Sequence, residues 1–169
     1  MYEYANLLFN GSTSEDGLQL AVSLCKQSAE RGCTKAMHKY ASMLFSGYLV
    51  PINKDEAIKY YKKAIAQGSG GSMFEYANIL YNGDGVEKED KEEASKFYKL
   101  SAKKGNIEAM NKYASMLYNG DGIMINKEKA AKYYKIAADR GDISAMFNYA
   151  NMKYNGDGIL VSKKEALDY

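Results

Sequence analysis

The sequence has 169 residues, 46% of them apolar and 26% charged, with a net charge of +2 at neutral pH. That length and balance suit one globular domain with a sizeable core and argue against a disordered chain. The small net charge lacks the one-sided basic surface of a nucleic-acid binder, and no run approaches the ~20 apolar residues that cross a bilayer.

The chain opens on Met1-Tyr2-Glu3-Tyr4, without the basic and apolar regions of a secretory signal. Asn10-Gly11-Ser12 is a single glycosylation sequon, which matters only in a secreted protein. Cys25 and Cys33 are eight residues apart, ~12 Å along a helix, beyond the reach of a disulfide. Two free thiols favour a reducing compartment, and a cytoplasmic location is expected.

Internal repetition sets the organisation. Tyr-Ala recurs at Tyr4-Ala5, Tyr40-Ala41, Tyr76-Ala77, Tyr113-Ala114 and Tyr149-Ala150, in steps of 36, 36, 37 and 36 residues. Glycines keep the same register at Gly11, Gly47, Gly83, Gly120 and Gly156, and a second series falls at Gly32, Gly68, Gly105 and Gly141. The extra residue of the 37-residue step lies in Gly85-Val86-Glu87-Lys88-Glu89-Asp90, a loop that tolerates insertion.

Each period reads as two helices, so the fold class is all-α: about five antiparallel helix pairs in a solenoid, forming a single array over residues 1–169. First helices are expected near 1–10, 34–46, 70–82, 107–119 and 143–155. Second helices are expected near 17–31, 54–67, 91–104, 127–140 and 163–169. In the fourth first helix, apolar Met110, Tyr113, Ala114 and Leu117 follow the i, i+3, i+4, i+7 spacing of a buried stripe. Its second helix is expected to bury Ala130, Tyr133, Tyr134 and Ala137 and to leave its lysines in water. Glycines of both series suit the left-handed position that closes a helix, and Ser69, Asn106 and Asp142 suit the N-cap of the next one. The alanines of Tyr-Ala let two backbones approach closely. The repeat phase at Met1 and Tyr169 falls within helices, so a segment of a longer array is expected.

Several apparent chemical motifs dissolve on inspection. His38 is the single histidine, which leaves no histidine-cluster metal site and little room for a catalytic triad. Gly83-Asp84-Gly85, Gly120-Asp121-Gly122 and Gly156-Asp157-Gly158 lack the longer spacing of phosphate or calcium loops and read as turns. Lys62, Lys63, Lys99, Lys103, Lys104 and Lys135 are offset by acidic residues and read as a solvated face. No catalytic residue, cofactor or metal is expected.

The pattern Ala-x3-Tyr-Ala-x2-Leu-Tyr-Asn-Gly-Asp-Gly, followed by Ala-x3-Tyr-x2-(Ala/Ser)-Ala-x2-Gly, resembles the Sel1-like repeat, a relative of the tetratricopeptide repeat. The resemblance covers essentially the whole chain and is loosest in Met1–Gly32, where Gly11-Ser12-Thr13-Ser14 replaces Gly-Asp-Gly. It implies a right-handed superhelix with first helices lining the concave face, and a scaffold or adaptor role in protein complexes. It also carries an enzymatic alternative, since penicillin-binding or β-lactamase-like hydrolysing activity has been attributed to cysteine-rich members. Their cysteine positions correspond here to Ala29, Met37, Ala102 and Met110, which disfavours that class. A structural spacer is the third reading.

Two rows of first-helix residues outside the core stripe are the candidate partner-binding groove. One is Tyr2, His38, Phe74, Asn111 and Phe147; the other, four residues on, is Asn6, Ser42, Asn78, Ser115 and Asn151. Aromatic rings supply area and amides pair with an extended backbone, so the expected partner is a protein or peptide, with no nucleic acid and no membrane insertion. The aromatics packing between neighbouring helices is the competing reading. A third row, Glu3, Lys39, Glu75, Lys112 and Asn148, alternates in sign and is expected to be a solvated rim. Apolar array ends make end-to-end self-association a further expectation.

Overall fold

The computed structural model describes residues 1–169 as ten α-helices in repeated pairs, without strands. The first helices are α1 (Tyr2–Gly11), α3 (Thr34–Ser46), α5 (Gly70–Asn82), α7 (Ile107–Asn119) and α9 (Ile143–Asn155). The second helices are α2 (Glu15–Glu30), α4 (Lys54–Ala66), α6 (Lys91–Lys103), α8 (Lys127–Ala138) and α10 (Lys163–Ala166). The chain divides into two compact units, Met1–Tyr76 and Ala77–Tyr169, and the division falls within α5.

In the first unit α1 packs on α2, α2 on α3 and α3 on α4. In the second, α6 packs on α7, α7 on α8, α8 on α9 and α9 on α10. Small residues make these contacts close: Ala5, Ala41, Ala77 and Ala114 are wholly buried. Beside them, in three repeats, the tyrosine of Tyr-Ala meets a tyrosine ring from its second-helix segment edge to face. Tyr40 lies 5.2 Å from Tyr60, Tyr113 lies 5.0 Å from Tyr133, and Tyr149 lies 4.8 Å from Tyr169. Edge-to-face packing places the positive rim of one ring on the negative face of the other. Of the residues expected to be buried in α8, Ala130, Tyr134 and Ala137 are, whereas Tyr133 is half-buried.

Helix ends follow local chemistry. Asn106 and Asp142 accept from the amides of Ala109 and Ala145 at 2.7 Å, and Ser69 accepts from that of Ser72 at 3.2 Å. Second helices are capped the same way by Ser14, Asn53, Asp90, Asn126 and Ser162. Four of these caps also bind back to the preceding first helix: the amides of Asn53, Asp90, Asn126 and Ser162 donate to the carbonyls of Leu44, Leu80, Leu117 and Lys153. Each loop is thereby fixed at a cap that starts one helix and satisfies a carbonyl of the other.

Gly47, Gly120 and Gly156 close α3, α7 and α9 in the left-handed conformation. Gly11 does not. It belongs to the last turn of α1, and the chain leaves through Ser12 in extended backbone. No glycine follows two residues later to complete the Gly-Asp-Gly turn, and Ser14 starts α2 instead.

Candidate interaction surface

The two candidate rows prove uneven. In the first, Tyr2, His38 and Asn111 are half-buried, Phe74 is buried at 8% exposure and Phe147 stands 68% exposed. Phe74 thus belongs to the interior and Phe147 to the surface, although they occupy the same repeat position. His38 Nδ1 lies 3.1 Å from Ser72 Oγ, its ring centroid 5.9 Å from that of Tyr61, and its edge against Gly71.

That enclosure has a pH consequence. Burial, and secondarily the charge of Lys39, hold the His38 pKa below the usual imidazole value. Above the ordinary value of about 6.5, both folded and unfolded forms are neutral there. As pH falls through that value the unfolded chain takes up the proton first, so stability declines until the lower folded-state pKa is passed. The urea midpoint of the wild type is expected to fall more between pH 7.5 and pH 5 than that of His38→Gln; parallel profiles would remove the effect from His38.

At Asn78 the second row is tied to its second helix. Tyr98 is 1% exposed and donates its hydroxyl to Asn78 Oδ1 at 2.6 Å. Tyr61 and Tyr134, one repeat earlier and later, are buried too, with Ser42 and Ser115 at the matching first-helix positions. Burial raises the pKa of both hydroxyls, and the neighbouring serines only partly counter it, so they stay protonated. Asn78 therefore satisfies a buried phenol across its helix pair. In the first repeat Cys25 takes the tyrosine position, with Asn6 half-buried on α1. The Cys25 thiol points at the Ala36 carbonyl oxygen, 3.7 Å away, and burial pushes its pKa up to about 11, which keeps it an inert thiol.

Two openings remain on first-helix faces, at equivalent positions in the two units. A cleft of about 570 Å³ is lined by Lys39, Ser42, Met43, Ser46, Gly47 and Tyr48. A smaller one of about 110 Å³ is lined by Tyr118, Tyr134, Asn148, Asn151 and Met152. Lys39, Ser42 and Met43 correspond in the repeat to Asn148, Asn151 and Met152. Lys39 and Asn148 come from the row read as a solvated rim, and Tyr118 and Tyr134 were not among the candidates. The usable signal was spacing: Lys39 and Asn148 each precede a second-row residue by three, which places them on its helix face. Lys39 also lies over the Phe9 ring, 5.3 Å from its centroid.

The Gly-Asp-Gly segments are turns, and each of the last two joins neighbouring repeats. Asp157 accepts from Lys127 Nζ at 2.7 Å and from the Tyr118 hydroxyl at 2.7 Å. Asp121 likewise pairs with Lys91 Nζ at 3.0 Å and accepts from the Tyr81 hydroxyl. The lysine in each case lies over the tyrosine ring, 4.9 Å from the centroid for Lys127 and 5.2 Å for Lys91. Bonds from Lys127 first and Tyr118 second hold the Asp157 carboxyl below the usual range. At Asp121 the Tyr81 bond leads the same shift. The second glycine completes the joint. A Cβ on Gly122 would lie 2.7 Å from the Lys91 carbonyl carbon, and one on Gly158 would lie 2.6 Å from that of Lys127. Both glycines are left-handed, at φ 74° and 73°. The corresponding residue of the second repeat is Leu49, which adopts φ 63° without a glycine's freedom.

No helix is long and apolar enough to cross a membrane. The Sel1 repeat family matches the sequence five times, over residues 1–33, 34–69, 71–106, 107–142 and 143–169. Among solved structures, the chain is similar to a protective antigen present in uropathogenic Escherichia coli strains that displays an SLR fold. The identity is 26% and the TM-score 0.89, covering 98% of this chain and 35% of that one. It is also similar to a Sel1 repeat protein from Oxalobacter formigenes, at 24% identity and TM-score 0.87 over 99% of this chain and 68% of that one. A third similarity is to Helicobacter pylori cysteine rich protein B, at 22% identity and TM-score 0.61, covering 80% and 96%. The chain thus spans about a third of the length of the E. coli antigen. No curated protein matches it.

Proposed function

Because the chain belongs to the Sel1 repeat family, whose members are generally protein-interaction scaffolds, we propose that it holds a partner polypeptide against the exposed faces of its first helices. The observation that carries this reading is the recurrence of an open, mixed polar and apolar cleft at Lys39, Ser42 and Met43 and again at Asn148, Asn151 and Met152. Amides and hydroxyls there meet the hydrogen-bonding needs of an extended backbone, while the exposed Tyr48 and half-buried Tyr118 rings offer apolar area above the buried Met43 and Met152. Phe147, exposed on the same helix as Asn148 and Asn151, adds an aromatic anchor of the kind that dominates interface energetics. Asn6, Asn78, Asn111 and Ser115 are half-buried and Phe74 is buried, so they shape the surface more than they meet a ligand.

The family is mainly a non-catalytic repeat scaffold, and this reading assigns no turnover to the chain. The test is selection of peptides from a displayed library on the whole chain, followed by affinity measurement against variants. Phe147→Ala combined with Asn151→Ala is expected to weaken at least one class of selected peptides by ten-fold or more, with helical circular dichroism unchanged. Lys132→Ala, on an exposed stretch of α8, serves as the control. If every selected peptide binds the double variant as tightly as the wild type, and a Ser42→Ala, Lys39→Ala variant as well, the first-helix faces are not the binding surface.

A further inference from the structure

The two clefts on the first-helix faces differ in charge. The larger, of about 570 Å³, falls within the roughly 300–1,000 Å³ of ligand sites and has Lys39 in its wall. The smaller, of about 110 Å³, has neutral Asn148 at the matching position. Lys39 is half-buried, and its ammonium lies over the Phe9 ring, 5.3 Å from the centroid, with no carboxylate at ion-pair distance. Lys91 and Lys127 also lie over rings, but Asp121 and Asp157 neutralise them at 3.0 Å and 2.7 Å. A ring holds an ammonium in place without cancelling its charge, because the attraction is to a quadrupole and not to an opposite ion. Lys39 therefore presents a positioned, uncompensated cation to the cleft. Its field also reaches into the fold. After burial, Lys39 is the second cause that lowers the His38 pKa, and at Cys25 it offsets part of the rise that burial produces.

Resting on the reading of these faces as the binding surface, we propose that the Lys39 cleft receives the carboxylate of an aspartate or glutamate side chain within an extended partner segment. The donors lining it are the Lys39 ammonium and the hydroxyls of Ser42 and Tyr48, both exposed residues. Ser46 is not among them. Its hydroxyl donates to the Ser42 carbonyl at 2.9 Å and accepts from the Tyr48 amide at 3.3 Å, which steadies the turn that carries the Tyr48 ring. One ammonium beside neutral hydroxyls suits one carboxylate, whose charge strengthens every bond it accepts. A basic side chain would be repelled there, and an amide would leave the cation uncompensated. Buried Met43 adds an apolar surface for the acid's methylene groups. A side chain is the source of the carboxylate, because the extended backbone runs on along the helix face.

The test uses the whole chain and two libraries of short linear peptides with amidated C-termini. They are identical except that one fixes aspartate or glutamate at its centre and the other fixes the corresponding amide. The wild type is expected to bind the selected acidic peptides about ten-fold more tightly than their amide counterparts. Lys39→Arg should keep that preference and Lys39→Met should abolish it, with helical circular dichroism unchanged. Lys59→Met, which removes the same charge from an exposed position on α4, should leave the preference intact. Equal affinity for acidic and amide peptides, or a preference that survives Lys39→Met, would overturn the proposal. A preference that appears only with free C-termini would place a chain end in the cleft and overturn it too. Ser42→Ala combined with Tyr48→Ala, a change without charge, separates the two levels. If it weakens binding while no acid preference exists, the face binds peptides and the cleft does not select acids. If it and Lys39→Met both leave every peptide bound as before, the binding surface itself lies elsewhere.

Discussion

Gly122→Ala is expected to destabilise the protein by about 3 kcal/mol, more than a one-carbon change at a surface turn normally costs. Two effects combine. A left-handed conformation costs an L-residue roughly 1–2 kcal/mol, and Gly122 sits at φ 74°. The new Cβ would also meet Lys91 Cβ at 2.5 Å, its carbonyl carbon at 2.7 Å and its carbonyl oxygen at 2.9 Å. Those main-chain atoms are locked in the first turn of α6, so the joint must open, and forced overpacking typically costs about 1–3 kcal/mol. Denaturant midpoints give the magnitude. Leu49→Gly, at the matching position of the second repeat, provides the contrast. Relief of its strain is offset by lost packing and added chain entropy, so a change within about 1 kcal/mol is expected. A loss on Gly122→Ala no larger than the gain on Leu49→Gly would show that turn conformation, and not contact with the preceding repeat, sets the cost.

The second large effect lies at Tyr98, the bulkiest fully enclosed side chain. Tyr98→Ala should cost about 3–5 kcal/mol, because it removes an aromatic ring from a site that cannot collapse freely. Tyr98→Phe keeps the ring and deletes only the hydroxyl that donates to Asn78 at 2.6 Å; it should cost about 1–2 kcal/mol. The difference between the two separates packing from hydrogen bonding. If Tyr98→Phe were as damaging as Tyr98→Ala, the second-row amide would matter more than the core it serves.

These expectations also show which physics the sequence makes visible. Helix pairs were legible because a close helix contact admits little beyond alanine, and a left-handed helix end favours glycine. Both demands recur with the repeat, and Ala41, Ala114, Gly47 and Gly120 display them. Gly11 has the right spacing and a different conformation, since closure depends on the residues that follow it as well. Burial along a row was not legible. Phe74 and Phe147 share a repeat position and differ from 8% to 68% exposure, because exposure depends on what each neighbouring repeat supplies. The partners of the polar row could have been found. Tyr61, Tyr98 and Tyr134 keep the same period as Ser42, Asn78 and Ser115, and buried phenols need acceptors or donors. The same holds for the turn aspartates, whose tyrosine and lysine partners recur in register at Tyr81, Tyr118 and Tyr154 and at Lys91, Lys127 and Lys163.

The joint between Asp157, Tyr118 and Lys127 draws its members from two successive periods of the sequence. A period is therefore a unit of pattern without being a unit of exchange. Transplanting residues 107–142 alone into another array would carry a phenol and an ammonium forward and an aspartate backward, each needing its complement already present in the host. Modularity in such a chain belongs to the seams, and whoever shuffles its blocks must match the seams first.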